Sequence, residues 1–309
     1  MGGTGSGNPF RLDPAEAAKR REEAEKAART GQVDAEVNAI LSKRLIEVNR
    51  RNNEEVNDRL GEIETALSGQ IDGFDRLLFG GSVAKQTYVE GLSDIDSLVI
   101  LKADEYAGLA PAEVMEKFQH ALEARLNRGE AVEIRAGDLA VTVEYDDGLE
   151  VQLLPAVEHG NKLSITSASG SNWAAIEPEA FAKRLSAVNK SQAGAVVPAI
   201  KLAKSILASE PSTRRPNGYH LEALAVAAFE DYSGPRNPKA MLTHLFDSAA
   251  ENVKRPIPDV TGQSRQVDAA LGGEGSVNRR RMAEGLKVIA RRMKTAPNVE
   301  AWQALLGDE

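Results

Sequence analysis

The stretch Phe79-Gly80-Gly81-Ser82 constrains this chain more than any other, together with Asp94-Ile95-Asp96-Ser97-Leu98-Val99-Ile100-Leu101, which begins twelve residues after Ser82. Side chains two apart on a strand share a face. The alternation of aspartate with apolar residues therefore sets Asp94 and Asp96 side by side at one end of a strand whose other positions are buried. Two carboxylates held together repel unless a divalent cation lies between them, and a hard cation draws its remaining oxygens from a polyphosphate. Glycines ahead of Ser82 let backbone N–H groups approach a phosphate with no side chain in the way. Gly81 and Ser82 are thus candidate phosphate contacts and Asp94 and Asp96 candidate metal ligands. The combination suits two-metal phosphoryl or nucleotidyl transfer.

The rest of the composition narrows the setting. A net charge of −8 over 309 residues argues against a surface built for stable duplex nucleic-acid binding, while leaving room for local positive groups. There is no cysteine, so disulfides, thiolate zinc sites and cysteine nucleophiles are excluded together, as fits a reducing cytoplasm. Four histidines make a histidine-rich metal centre a poor reading. No run approaches the roughly eighteen apolar residues of a membrane span, and the glycine-rich start, Met1 to Asn8, lacks the apolar core of a signal peptide. The expected location is cytoplasmic.

Residues 1–32 read as a flexible tail followed by a polar helix, opened by Asp13-Pro14 and closing near Thr30-Gly31. From Val33 to about Ser68, Val37, Ile40, Leu41, Leu45, Val48, Val56, Leu60, Ile63 and Leu67 form one apolar stripe. That predicts a long spine helix, or alternatively a coiled-coil dimer. Ala110-Pro111 opens another helix. Three strand-like runs follow, Ala131 to Arg135, Leu139 to Tyr145 and Leu149 to Leu154, the last two joined by the turn Asp146-Asp147-Gly148. After Pro155 an extended loop containing Trp173 is expected, then helices near 178–190, 194–209, 217–232, 238–253 and 276–295. The fold class is α+β: a mixed sheet with helices over 33–160, a helical lobe over 161–309, and a cleft between them, where ligands commonly bind.

Further candidates carry two readings each. In the run 149–154, Glu150 and Gln152 share a face, and either supplies a third oxygen ligand beside the aspartates or lies on the wet face of a hairpin strand. Lys201 and Lys204, three apart on a helix, either hold a triphosphate or are solvated surface. Tyr219 either stacks on a base or packs in the core. His220 reads as a structural hydrogen-bonder. The arginines 279, 280, 281, 291 and 292 form a nucleic-acid patch or, better suited to an acidic chain, a solvated or salt-bridged helix face.

The wider motif Gly81-Ser82-Val83-Ala84-Lys85 … Thr87 … Gly91-Leu92-Ser93-Asp94-Ile95-Asp96 resembles the DNA-polymerase-β-like nucleotidyltransferase superfamily, and within it the CD-NTase branch, bacterial relatives of cyclic GMP-AMP synthase and oligoadenylate synthetases. The similarity continues through Gln152-Leu153-Leu154-Pro155-Ala156, Ile200 to Lys204, Gly218 to Glu222 and Thr261-Gly262-Gln263-Ser264, covering about residues 35 to 295. The resemblance implies a nucleotidyltransferase core lobe followed by a helical lobe, with nucleoside triphosphate (ATP or dATP favoured) and two Mg²⁺ or Mn²⁺ ions between them. It places terminal phosphates at Ser82, metals at Asp94 and Asp96, triphosphate at Lys201 and Lys204, and a base on Tyr219. The implied product is a signalling oligonucleotide in bacterial antiphage defence, a cyclic di- or trinucleotide as in CBASS systems or a linear deoxy-oligomer as in Hailong-type systems, read by a downstream effector. Where many superfamily members carry a third aspartate, this chain has Gln152. Glu150 substitutes, or two carboxylates suffice, or the chain is a silent nucleotide sensor. Direct binding of an effector, or of a second copy of the chain, through the N-terminal helices is the remaining expected interaction.

Overall fold

A computed structural model of the chain describes residues 14–49, 53–79, 81–89, 95–102, 106, 108–126, 131–137, 140–160, 162–167, 172–262 and 264–307. Asp94, Gly80 and Gln263 lie outside the described residues. The elements in chain order are α1 (Pro14–Val48), α2 (Asn53–Ser68), β1 (Phe74–Phe79), α3 (Gly81–Ala84), β2 (Ile95–Lys102), α4 (Pro111–Leu126), β3 (Ala131–Ala136), β4 (Val141–Tyr145), β5 (Glu150–His159), β6 (Lys162–Thr166) and β7 (Trp173–Ile176), then α5 (Pro178–Ser191), α6 (Val196–Leu207), α7 (Gly218–Phe229), α8 (Pro238–Asn252), α9 (Val277–Thr295) and α10 (Val299–Leu306). The mixed sheet and helical second half match the expected α+β architecture. Among the described residues, no helix is long and apolar enough to cross a membrane.

One sheet runs β1-β2-β5-β4-β3, with β6 and β7 extending from the far half of β5. The β2–β5 pair is parallel and the other pairs antiparallel. The alternation that marked β2 holds: Val99 and Leu101 are buried on the face covered by α2 and α4, while Leu98 and Ile100 enter a smaller cluster with Ala156 and Ile165 on the other face. The turn 146–148 closes the β4–β5 hairpin with Gly148 at φ +80°.

Strand β5 does not stop at Pro155, and the expected loop containing Trp173 is the pair β6–β7. Proline interrupts a ladder because it has no N–H to give. Pairing with β4 ends at Leu153 and pairing with β6 begins at Ala156, so Pro155 falls in the gap between the two antiparallel partners.

The single spine helix is also replaced, by two helices in two different cores. Helix α1 runs unbroken through Thr30-Gly31, where alanine, arginine and glutamine neighbours absorb the roughly 1 kcal/mol that an interior glycine costs. It ends at Val48. Val37 and Leu41 pack with Phe229, Leu242, Leu286 and Trp302 in the helical lobe, whereas Leu60, Ile63 and Leu67 of α2 pack under the sheet with Phe118 and Leu122. Polar contacts fix α1 to the helical lobe as well: Arg44 Nε donates to Ser205 Oγ at 3.0 Å, and the Lys239 backbone N–H to Asn38 Oδ1 at 2.9 Å.

The helical lobe is capped where the sequence places asparagine or serine before a helix. Asn217, Asn237, Ser276 and Asn298 each accept from the backbone three residues on. Arg279 is neither nucleic-acid surface nor solvated. It is fully buried, with its guanidinium on Asp268 Oδ2 at 2.5 Å and on the carbonyls of Val253, Arg255 and Gly272 at 2.9 to 3.0 Å.

Candidate active site

Immediately after β1 the chain turns through Gly81 at φ +49°, a conformation that favours glycine. The missing side chain matters as much as the angle. A Cβ built on Gly81 would lie 1.7 Å from Asp96 Oδ2, so the aspartate carboxylate occupies the space that glycine leaves. The short α3 then folds back on itself: the backbone N–H groups of Thr87 and Tyr88 donate to Ser82 O at 2.9 and 3.1 Å. Gln86 takes φ +59° in that return, a left-handed geometry costing a non-glycine residue about 1–2 kcal/mol. Ser82 is buried, and its hydroxyl has no hydrogen-bond partner among the described residues.

Register places the next groups. Asp96 pairs with Gln152 across the parallel β2–β5 ladder, and Gln152 pairs with Thr142 of β4. Paired residues on neighbouring strands present side chains to one face, so Gln152 stands in the row of Asp96. Glu150 lies one row further along, opposite Glu144, and its carboxylate meets Arg135 at 3.1 Å. Arg135 also pairs with Glu144 at 3.1 Å.

The helical lobe supplies the opposite wall. Lys204 of α6 is buried, donating to Thr87 O at 2.9 Å and to Glu222 Oε1 at 3.2 Å. Burial drives its pKa down from the ordinary lysine value, against the opposing pull of Glu222 and, more weakly, of Asp96. Gly218, opening α7, lies directly against it; a Cβ there would be 3.7 Å from the Lys204 ammonium. Lys201, one turn earlier and half-buried, donates to Asn49 Oδ1 at 2.5 Å. Tyr219 is half-buried, its ring edge-to-face with Phe181 at 4.8 Å and its hydroxyl on Asp259 Oδ1 at 2.8 Å. The Lys85 ammonium stands 4.9 Å from the centre of that ring. Burial and the bond to Asp259 both hold the Tyr219 phenol above its ordinary pKa. Asp259 is in turn fixed by Thr261 and Ser264; burial alone would raise its pKa, but these bonds hold it below the ordinary value. His220 points away into the buried Asp268–Arg279 pair, and burial holds its pKa down at about 4. Its Nε2 lies 3.4 Å from Asp268 Oδ2 and makes no hydrogen bond among the described residues.

Contacts therefore link Gly81, Ser82, Asp96, Lys204 and Tyr219 across the two lobes, with Gln152 beside Asp96 in register. Three residues with no role assigned from sequence join them: Lys85, Thr87 and Glu222. Glu222 is 1% exposed and is the sole carboxylate of α7. A single glutamate inside the otherwise apolar run Leu221 to Phe229 was the available signal, since such a charge must be paired when buried.

Does the site fit a divalent metal? Among the described residues no group of three or more His, Asp or Glu forms a ready cage. What stands there is the Asp96 carboxylate seated against a glycine, with the Gln152 amide beside it in register. Hard oxygen donors, few in number, next to a buried unpartnered hydroxyl fit an ion of the magnesium type, which is held by one or two carboxylates and takes its other ligands from phosphates and water.

The profile of the Second Messenger Oligonucleotide or Dinucleotide Synthetase domain, SMODS, matches residues 32–189. The chain belongs to this family. It is a CD-NTase of the polymerase-β-like superfamily and a nucleotidyltransferase enzyme. No curated protein matches the chain. Among solved structures, the Bradyrhizobium diazoefficiens CD-NTase CdnG, in complex with GTP, is similar at a TM-score of 0.69 and 16% identity, covering 88% of this chain and 96% of that one. E. coli MS115-1 CdnC, in its complex with HORMA-deltaN, gives a TM-score of 0.65 at 15% identity over 86% and 96%. E. coli DncV with 3′-deoxy GTP gives 0.61 at 13% identity over 96% and 91%. At such identities the likeness is one of fold, and this SMODS chain shares nearly the whole length of each.

Proposed function

We propose that the chain joins nucleoside triphosphates, without a template, into a signalling oligonucleotide and releases pyrophosphate. The observation that carries this is the nearness of three groups: the Asp96 carboxylate against Gly81, the buried Ser82 hydroxyl, which has no partner among the described residues, and the buried Lys204 ammonium on the Thr87 carbonyl. Ser82 and the backbone around Gly81 hold the terminal phosphates from the sheet side. Lys204 meets the same triphosphate from the helical side, with Lys201 one turn behind, and Tyr219 offers an aromatic face to the base. A 3′- or 2′-hydroxyl of the acceptor attacks the α-phosphorus, and the bond to pyrophosphate breaks. Two Mg²⁺ or Mn²⁺ ions, held by Asp96 with Asp94, would neutralise charge on the acceptor oxygen and the pyrophosphate. Relatives solved with GTP and 3′-deoxy GTP support a nucleoside triphosphate as substrate. The product is a cyclic di- or trinucleotide acting in antiphage defence of the CBASS kind, through an effector that reads it. A linear deoxy-oligomer of the Hailong kind is the alternative product.

Mass spectrometry after incubation with mixed ribo- and deoxyribonucleoside triphosphates and Mg²⁺ or Mn²⁺ identifies sugar, base, length and cyclisation together. Asp94→Asn with Asp96→Asn is expected to abolish product while leaving the melting temperature and nucleotide affinity measurable. Persistence of product in that variant refutes the mechanism. A second reading, a silent nucleotide sensor, draws on Gln152 standing in the row of Asp96 while Glu150 is engaged by Arg135. Nucleotide binding without product at any pH favours it.

A further inference from the structure

Glu222 has no part in the scheme above, yet it is the most constrained carboxylate in the cleft. Burying a charge is costly unless every lone pair finds a partner. Oε1 accepts from Lys204 and from the Thr87 hydroxyl, and Oε2 stands 2.5 Å from Lys85 Nζ in an ion pair that lacks hydrogen-bond geometry. Lys85 and Thr87 belong to the segment that turns back onto Ser82, on the sheet side; Lys204 and Glu222 come from α6 and α7. Both lysine side chains are about as buried as the carboxylate requires, 10% exposed for Lys85 and 8% for Lys204. Two ammonium groups thus share one buried counter-charge. With its oxygens so occupied, Glu222 is poorly placed to ligate an ion or substrate itself.

We propose that Glu222 is a positioning residue: it ties Lys85 of the sheet side and Lys204 of the helical side to one buried carboxylate, and so sets where Lys204 meets the triphosphate. This rests on the nucleotidyltransferase reading given above. Without the carboxylate the two ammonium groups repel across a dry wall, and one must leave it. Lys204, whose ammonium burial already disfavours, then loses its place.

The test compares steady-state kinetics and melting temperatures of full-length variants, with ATP and GTP as substrates and Mg²⁺ present. Glu222→Gln is expected to raise KM for nucleoside triphosphate by about tenfold or more, with a smaller change in kcat. Adding Lys85→Met removes the surplus ammonium and recovers most of that loss. Failure of Lys85→Met to recover KM overturns the proposal, as does a KM left unchanged in Glu222→Gln, the result a purely structural role would give. Glu222→Asp keeps the charge and shortens its reach; an intermediate KM is expected, and a wild-type KM in this variant also overturns the proposal, even should Glu222→Gln fail to fold. Titration of the wild-type chain with ATP and GTP stands apart from these arms: absence of binding and of turnover there defeats the functional reading, not the placement of Glu222.

Discussion

Replacing Gly81 with alanine separates the geometry of the site from the stability of the turn that carries it. The new methyl carbon would lie 1.7 Å from Asp96 Oδ2, 2.5 Å from its Cγ and 2.6 Å from its Cβ. Non-bonded atoms settle at about 3.5 Å, so the carboxylate must retreat by roughly 1.8 Å or the turn must open by as much. A displacement of about 1 Å at a reacting centre is enough to cost on the order of 100-fold in rate. The backbone adds a second effect, because φ +49° strains a residue with a Cβ by about 1–2 kcal/mol. Gly148 provides the control: it has φ +80°, and a Cβ there meets nothing within 4 Å. Gly81→Ala and Gly148→Ala are both expected to lower the melting temperature by a few degrees, about 2–4 °C per kcal/mol. Only Gly81→Ala should also lose on the order of 100-fold in pyrophosphate release. The reasoning fails if Gly81→Ala stays within about threefold of wild type, or if Gly148→Ala loses as much activity.

Two further outcomes follow from the register and from the buried histidine. Since Gln152 shares the row of Asp96 while Glu150 is held by Arg135 at 3.1 Å, Gln152→Ala should cost about tenfold or more in kcat and Glu150→Gln less than about threefold; the reverse order would make Glu150 the group that faces the reaction. His220, its pKa held at about 4 by burial, stays neutral in the fold while an unfolded histidine takes a proton below about 6.5. The unfolded state therefore binds more protons between those values, and stability falls as pH drops from about 6.5 toward 4, by up to about 3 kcal/mol. Asp268, whose pKa is lowered, loses its own contribution only as pH falls below the ordinary carboxylate range, so it does not mask this window. Thermal melts across pH 4.5 to 7.5 check the slope, which His220→Asn should flatten; a flat wild-type profile would show that His220 takes its proton in place.

What could be read from the chain was what local pattern determines. Alternation around Asp96 specified β2, the Asp-Asp-Gly turn specified the β4–β5 hairpin, and helical periodicity placed α7, α8 and α9. Strands β6 and β7 escaped because each has only four or five residues and Pro155 suggested a stop whose cost depends on which neighbour pairs where. The division of the 33–68 stripe escaped for a similar reason: Leu41 and Leu60 have the same periodicity, and only tertiary packing sends them to different cores. At the site, the motif singled out Asp96 and Ser82 as candidates, while spacing left Lys204 open between a triphosphate contact and solvated surface. The partnership of Lys85, Thr87, Lys204 and Glu222 was not, because it joins three segments far apart in sequence.

The placement of α1 bears on how the cleft can move. Its second half is rooted in the helical lobe, yet the chain then enters the sheet lobe at α2 and returns only at Glu177, between β7 and α5. The two bodies are thus joined by a pair of covalent crossings. Two attachment points restrict how the lobes can turn relative to one another more than a single tether would, so a hinge swing is the expected form of any motion that separates the Ser82 turn from Lys204.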